Sequence, residues 1–362
     1  MQKKRNYGVD LLRIVLMFCI VVGHLYAHTE IRSLLPFLSG KWVFTWTTQA
    51  VTVCAVDCFV VITGYYMSQA DFDLYKLACL WSKVVFYSVF TTIIAVLIKA
   101  RSVSFGVLLD AFFPVFRKEY WFFTMYILLY LLSPFLNIGL RKMSKRMHGA
   151  LALIILVFFY VEPLLSAVFY EFDPTEGFSI TGFVTLYIIG AYLARCPDIQ
   201  RRYCVLALAV SSMLMTASKI GFQLIADRYG PGLGTGLLYH NNSVFVLINA
   251  AALFALFKQL DLKPVTEKAV AWISPAVFAV YLLHEKPAIR EVLWNKALAE
   301  RLCRVGLPAY ILIVLGIGFG VLAAGVLLDK LAAAAVFSPA GGSRTAQAVK
   351  RLCNSYNRLI SR

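Results

Sequence analysis

The sequence predicts an all-α bundle of about ten transmembrane helices, and three observations support this prediction. Of the 362 residues, 60% are hydrophobic and only 15% are Asp, Glu, Lys or Arg, whereas soluble domains carry roughly 25% charged residues. The apolar residues are gathered into runs of about 20, which is long enough for a helix to cross a bilayer. Short segments of alternating polar and apolar residues, typical of membrane β-barrels, are not apparent.

The apolar segments follow one another along most of the chain. Backbone groups inside hydrocarbon must satisfy their own hydrogen bonds, so each segment is expected to be helical. The first should be retained, because no small-residue cleavage site follows it. The segments are 8–27, 45–67, 77–98, 120–140, 149–168, 178–194, 203–225, 243–257, 270–284 and 306–328. The chain thus divides into a membrane domain over 1–330 and a basic, mobile or interfacial tail over 331–362.

Basic residues between the segments predict the orientation. With the N terminus inside, cytoplasmic segments carry 20 Lys and Arg and outer segments 12, as the positive-inside rule requires. Both termini are then cytoplasmic, and the outer loop with Glu171, Asp173 and Glu176 is acidic. The outer segment 285–305 departs from this rule, because it holds five basic residues. The net charge of +16 is attributed to these basic residues between the spans, which set the orientation in the membrane. No nucleic-acid partner is therefore expected.

Ionisable side chains inside a membrane are costly and therefore indicate functional sites. In the first segment, Asp10 and Arg13 are three residues apart and can form a structural ion pair, or Arg13 can bind a phosphorylated donor. His24, about 16 Å further along the helix, is either a packing residue or a general base that deprotonates a hydroxyl. His28 can form a metal pair with His24, but no acidic third ligand is evident, and no metal is expected.

Other polar residues lie in later segments. Asp57 in the second segment needs a partner, for which Lys83 or Arg13 are candidates. Under the predicted topology, Trp121 and His284 reach the same outer depth as His24, which indicates a shared cavity; chance placement at helix ends is the rival interpretation. Eight cysteines are scattered without zinc-site spacing, and they are interpreted as packing residues.

Four blocks of sequence resemble the acyltransferase type 3 family. The first has Arg13, ten intervening residues and His24; the second runs to a Thr-Gly-Tyr where the family more often has Ser-Gly-Tyr. The late block is similar to that of Gram-positive surface-polysaccharide acyltransferases. The resemblance spans residues 7 to about 328, with blocks at 7–24, 56–65, 120–137 and 278–287. Leu80 and Lys83 stand where many members have an Arg-x-x-Arg motif.

The resemblance implies a multi-pass bacterial cell-membrane enzyme that moves an acyl group, usually acetyl, from cytoplasmic acyl-CoA to a hydroxyl of a cell-surface or lipid-linked glycan such as an exopolysaccharide. The acyl group and the acceptor stay open, and the enzyme would act alone or with separate polysaccharide-assembly proteins. A proton-coupled transporter is the alternative, although the paired halves common in carriers are not evident. The roles implied are catalysis by His24, with Asp57 and His284, donor binding by Arg13 and Lys83, and substrate binding by Tyr120, Trp121 and Glu285.

Overall fold

The computed structural model describes residues 5–117, 119–162, 177–230, 236–337 and 344–360. These residues are almost wholly helical, and none of them forms a strand. The predicted fold class, a polytopic helix bundle, is therefore confirmed. Eight helical segments among the described residues are long and apolar enough to cross a membrane: Tyr7–His28, Gly40–Met67, Leu74–Leu97, Trp121–Lys142, Arg201–Tyr229, Leu237–Lys258, Pro264–Glu285 and Leu307–Ala335.

The described residues contain seventeen α-helices, together with two short 3₁₀ turns and two π turns. They are α1 Tyr7–His28, α2 Ile31–Leu34, α3 Gly40–Thr52, α4 Ala55–Met67, α5 Leu74–Leu97, α6 Phe105–Phe112, α7 Trp121–Lys142, α8 Lys145–Leu156, α9 Ile180–Leu193, α10 Arg201–Tyr229, α11 Val244–Lys258, α12 Pro264–Ile273, α13 Val277–Glu285, α14 Pro287–Leu293, α15 Lys296–Arg304, α16 Leu307–Ala332 and α17 Arg344–Ile360.

The predicted segments differ from the observed helices in several places. Segment 45–67 is broken between α3 and α4, and segment 270–284 is broken by a 3₁₀ turn at Pro275. The sixth predicted segment corresponds to α9, which is apolar but short for a span. The fifth becomes α8 and a π turn, and its end lies outside the described residues, as does the acidic loop with Glu171, Asp173 and Glu176.

Helix α1 lies at the centre of the bundle. The Asn6 side chain begins it by accepting a hydrogen bond from the backbone N–H of Val9 at 3.0 Å, which satisfies one of the free donors of the first turn. Around it pack α3, α4, α11, α12, α13 and α16. Polar residues on α1 are therefore enclosed by protein instead of facing lipid, which makes them usable as a site.

Helices α4 and α9 approach each other closely because glycines face each other at the crossing. A Cβ atom on Gly64 would collide with the backbone of Tyr187, and one on Gly190 would collide with the carbonyl oxygen of Val61. Small residues of this kind let helix backbones pack together where lipid supplies little hydrophobic drive. The crossing fixes which faces of α4 are free to line cavities.

The tail forms α17, which packs against the beginning of α5. The Asn357 side chain accepts a hydrogen bond from the backbone N–H of Leu74 at 3.0 Å, and Cys353 is buried. Val349, Leu352 and Tyr356 are exposed along the helix. The tail therefore has a docked position on the bundle, and its interfacial character stays a prediction.

Candidate functional site

Three of the predicted site residues, Arg13, His24 and Trp121, line one cavity of about 260 Å³ with mostly apolar walls, which we call the main cavity. Arg13, Met17, Ile20 and His24 line it from one face of α1, since residues spaced by three and four lie on one side of a helix. The break at Pro275 exposes the start of α13 to the same space. The other lining residues are Val56, Phe59, Ile62, Thr63, Leu80, Trp121, Phe122, Tyr126, Ser274, Pro275, Val277, Phe278 and Tyr281.

A cluster of ionisable groups closes one end of this cavity. His24 Nδ1 lies 3.0 Å from His284 Nε2 and 2.9 Å from Glu285 Oε2. His28 Nε2 lies 3.5 Å from the same carboxylate oxygen, and Arg290 contacts the other oxygen of Glu285 at 3.1 Å. Two helices, α1 and α13, thus bring together predicted residues that are about 260 positions apart in the sequence.

The contacts assign a tautomer to His24. His284 Nδ1 lies 2.6 Å from the carbonyl oxygen of Val280 and must donate its proton there, because a carbonyl only accepts. The Nε2 atom of a neutral His284 is then an acceptor, as is the Glu285 carboxylate. Since both neighbours of His24 Nδ1 accept, this nitrogen carries a proton, and in the neutral form of the ring Nε2 is the nitrogen with the free lone pair.

Lys286 holds this end of α13 in position. Its Nζ atom lies 2.8 Å from Glu119 Oε2 and 3.1 Å from Ser88 Oγ, which ties α13 to α5 and to the residues before α7. Burial lowers the pKa of Lys286, and the adjacent Glu119 carboxylate opposes that shift. The buried ion pair therefore fixes the backbone that carries His284 and Glu285.

Arg13 lies at the opposite end of the main cavity. Its guanidinium contacts Asp10 Oδ1 at 2.6 Å, so the predicted ion pair is confirmed. Asp10 is shared with Arg5, whose Nε atom lies 2.5 Å from the second oxygen, and the Tyr66 ring lies 6.0 Å from the Arg13 guanidinium. One carboxylate shared by two guanidiniums leaves net positive charge at this end, so pairing and anion binding are compatible.

Lys83 is not brought into the main cavity. Its Nζ atom pairs with Asp329 Oδ1 at 2.8 Å, and the Tyr87 hydroxyl donates to the same oxygen at 2.8 Å. Leu80, one turn earlier on α5, lines the cavity instead. The structure therefore gives no geometric support to Lys83 as a donor-binding residue, and the expected pairing of Lys83 with Asp57 is wrong.

Asp57 faces away from the His24 cluster. It lines a second space of about 220 Å³, which we call the Asp57 cavity, on another face of α4. Its side chain is buried, and Oδ2 has no hydrogen-bond partner among the described residues. The interpretation of Asp57 as part of the His24 catalytic group thus lacks support from the geometry, and the alternative pairing with Arg13 is also wrong, because Arg13 is held by Asp10.

The two aromatic residues predicted to bind substrate have different environments. Trp121 lines the main cavity and packs its ring 4.8 Å from that of Phe178. Tyr120 is completely buried, and its hydroxyl donates to the carbonyl oxygen of Leu282 at 3.1 Å. Trp121 is accessible to a ligand, whereas Tyr120 supports α13 from behind.

Glu285 is the residue whose place the sequence indicated least well. It was predicted to bind substrate, but it contacts His24 and His28, and the expectation that these histidines lack a nearby acid is wrong.

His24, His284 and Glu285 each place one ligand atom within 4.8 Å of the others, a spacing that can hold a metal ion. The hydrogen bond between His24 and His284 and the ion-pair contact between His24 and Glu285 account for the same spacing. The expected absence of a metal stays a prediction, which unchanged acyl transfer after EDTA treatment would support.

Fold and site together define a class: a multi-pass helical membrane protein with a buried histidine–glutamate cluster at one end of an internal cavity and an arginine at the other. A model of the acyltransferase type 3 family, described as an acyltransferase domain, matches residues 6–330. The chain belongs to this family and is a membrane acyltransferase. Comparisons with curated proteins and with solved structures gave no match.

Proposed function

We propose that this protein transfers an acyl group, with acetyl as the first candidate, from acyl-CoA to a hydroxyl of a cell-surface or lipid-linked glycan. The observation that carries the proposal is that Arg13 and His24 lie on one face of α1 and line one cavity. Eleven residues of helix separate them by about 16 Å. An elongated donor with phosphates at one end and a thioester at the other fits two such groups.

Arg13 is proposed to hold the phosphate end of the donor. A guanidinium presents a planar fork of donors that matches phosphate oxygens, and charge-assisted bonds of this kind are stronger than neutral ones. Met17, Ile20 and Phe278 supply an apolar wall between the two ends, suited to the uncharged arm that joins the phosphates to the sulfur. Lys83 has no part in this arrangement, because Asp329 holds it elsewhere.

His24 is proposed to act as the general base. Its free Nε2 lone pair removes the proton of the acceptor hydroxyl while the oxygen attacks the thioester carbonyl carbon. The carbon–sulfur bond then breaks, and the imidazolium returns the proton to the departing thiolate, so atoms and charge balance. Glu285 stabilises the transient imidazolium. A positioned base typically contributes about 10²–10⁴-fold in rate.

The glycan hydroxyl is proposed to reach His24 past Trp121. An indole in the cavity wall can stack on the face of a sugar ring while the ring's hydroxyl points to the histidine. The reaction is proposed to occur within the bilayer, among the helices that are long enough to span it, and the cell membrane is the proposed location. Separate polysaccharide-assembly proteins are proposed to supply the acceptor.

The test uses the purified protein in proteoliposomes with radiolabelled acetyl-CoA and glycan extracted from the host cell surface. The His24→Ala variant should lose acyl transfer by at least about 10²-fold while acetyl-CoA binding persists, because Arg13 is untouched. Near-normal transfer by this variant would remove His24 from the mechanism. Mass spectrometry of the glycan then identifies the acyl mass and the hydroxyl that receives it.

A further inference from the structure

The Asp57 cavity contains a buried carboxylate that the proposed mechanism does not use. Asp57 is 1% exposed, and its Oδ2 atom has no hydrogen-bond partner in the described part of the chain. Leaving such a group buried and unpaired is costly. A ligand that donates hydrogen bonds would remove this cost, so the carboxylate points to an occupant of the cavity.

The lining defines what kind of occupant fits. Besides the carboxylate, the walls carry hydroxyl and amide groups, able both to donate and to accept, and adjacent aromatic rings. A sugar ring fits both parts of this lining, because its hydroxyls can hydrogen-bond to the polar groups and its apolar face can pack on the aromatic rings. A simple cation would contact only the oxygen atoms of the lining. The lining residues are Asp57, Phe158, Phe159, Tyr160, Gly177, Ser179, Gly182, Thr185, Leu186, Asn241 and Asn242.

Two glycines shape the wall of this cavity. Gly177 has a φ of 88°, a conformation that favours glycine, and a Cβ there would come within 3.0 Å of the backbone nitrogen of Asn242. A Cβ on Gly182 would collide with the carbonyl oxygen of Gly177. The beginning of α9 is thus packed tightly against the segment with Asn241 and Asn242, which gives the cavity a preformed wall.

The Asp57 cavity is a neighbour of the main cavity. Both are lined by α4, with Val56 facing one and Asp57 the other. The wall between them is aromatic: the Phe122 ring lies 5.5 Å from that of Phe183, and the Trp121 ring packs against Phe178 just before α9. The two cavities therefore lie on opposite sides of one aromatic layer, and a chain of linked rings that passes Trp121 reaches Asp57 only when these side chains move aside.

We propose that the Asp57 cavity binds a sugar ring of the acceptor glycan, a neighbour of the sugar that receives the acyl group. Asp57 accepts hydrogen bonds from its hydroxyls, and the aromatic wall packs on its face. This inference rests on the proposed function for the identity of the acceptor as a glycan. Asp57 is then a residue for acceptor recognition, separate from the histidine cluster.

Binding measurements test this site directly. The probes are tetrasaccharides of glucose, galactose and N-acetylglucosamine, and saturation-transfer NMR on protein in nanodiscs gives their affinities. We expect at least one to bind, and Asp57→Asn to weaken it about three- to tenfold, because an amide cannot reproduce the hydrogen bonds of the buried carboxyl group. Thr185→Val should also weaken it. The matched control Asp71→Asn alters a fully exposed acid and should leave the affinity unchanged.

Acetyl-CoA binding, measured on the same samples, separates the two proposals. If no probe binds, or if Asp57→Asn binds as well as the wild type, the inference is wrong even when acetyl-CoA binds. It is also wrong if Na⁺ or K⁺ raises the melting temperature only when Asp57 is present, because the cavity is then a cation site. If sugar binding depends on Asp57 but acetyl-CoA does not bind, the proposed function fails and the sugar site stands.

Discussion

At the scale of residues, the contacts around His24 determine which of its two ring nitrogens acts as the base in the proposed reaction. The backbone carbonyl of Val280 orients His284, and His284 with Glu285 then fixes the proton of His24 on Nδ1. The nitrogen that faces away from this cluster is left free. A carboxylate next to the ring also stabilises the charge that the histidine acquires when it takes a proton.

The Glu285→Gln variant isolates this electrostatic contribution. Glutamine keeps the size of the side chain but removes the charge beside His24, so we expect kcat to fall about 10–100-fold with the donor KM unchanged. Steady-state kinetics with acetyl-CoA measures both. The control Glu291→Gln changes an exposed acid on the neighbouring helix α14. A raised donor KM with unchanged kcat would instead show that Glu285 contributes to binding.

At the scale of elements, the sequence predicted the helices better than the interruptions within them. Runs of apolar residues mark spans reliably because lipid exposure acts on the whole length of a helix. The break at Pro275 had a local signal in proline, whereas the break between α3 and α4 had no comparable signal. Partners of polar residues were the hardest to predict: Asp329, which pairs with Lys83, lies about 250 residues away, and only tertiary packing brings them together.

The crossing of α4 and α9 offers a stability test at this scale. Gly64→Ala places a methyl group against the backbone of Tyr187, and overpacking of this kind typically costs about 1–3 kcal/mol. We expect a lower melting temperature in detergent, followed by tryptophan fluorescence. In the control Gly139→Ala on α7, a Cβ meets no atom within 4 Å, so stability should be unchanged or slightly higher. Equal effects of the two variants would contradict the packing of α4 against α9.

At the scale of the whole molecule, orientation in the membrane is still a prediction from basic residues. It places Gln200 inside and Glu300 outside, and both side chains are exposed. Single cysteines at these positions, in a background without the eight native cysteines, should therefore react differently with a membrane-impermeant maleimide. In intact cells Glu300→Cys should be labelled and Gln200→Cys should not. The reverse pattern would invert the topology and with it the side from which the donor enters.

The family match and the bundle support a membrane acyltransferase, and the proposal adds that a single helix, α1, binds both ends of the donor. The resemblance to the family implied this pair, Arg13 and His24, and the structure shows that both residues line one cavity. The sequence did not predict the position of Glu285 beside His24 or the separate cavity at Asp57, because both depend on how distant helices pack. Because Arg13 and His24 line the same cavity, one molecule of donor can contact both residues.

The most direct test compares two donors, acetyl-CoA and acetyl-pantetheine, which lacks the phosphates. With Arg13→Ala, the KM for acetyl-CoA should rise about tenfold or more, as expected for loss of charge-assisted contacts, while the KM for acetyl-pantetheine stays the same. The control Arg146→Ala, which alters an exposed residue on α8, should change neither. If Arg13→Ala raises both KM values equally, or neither, Arg13 does not bind the donor phosphates, and the proposed arrangement of the donor along α1 is wrong.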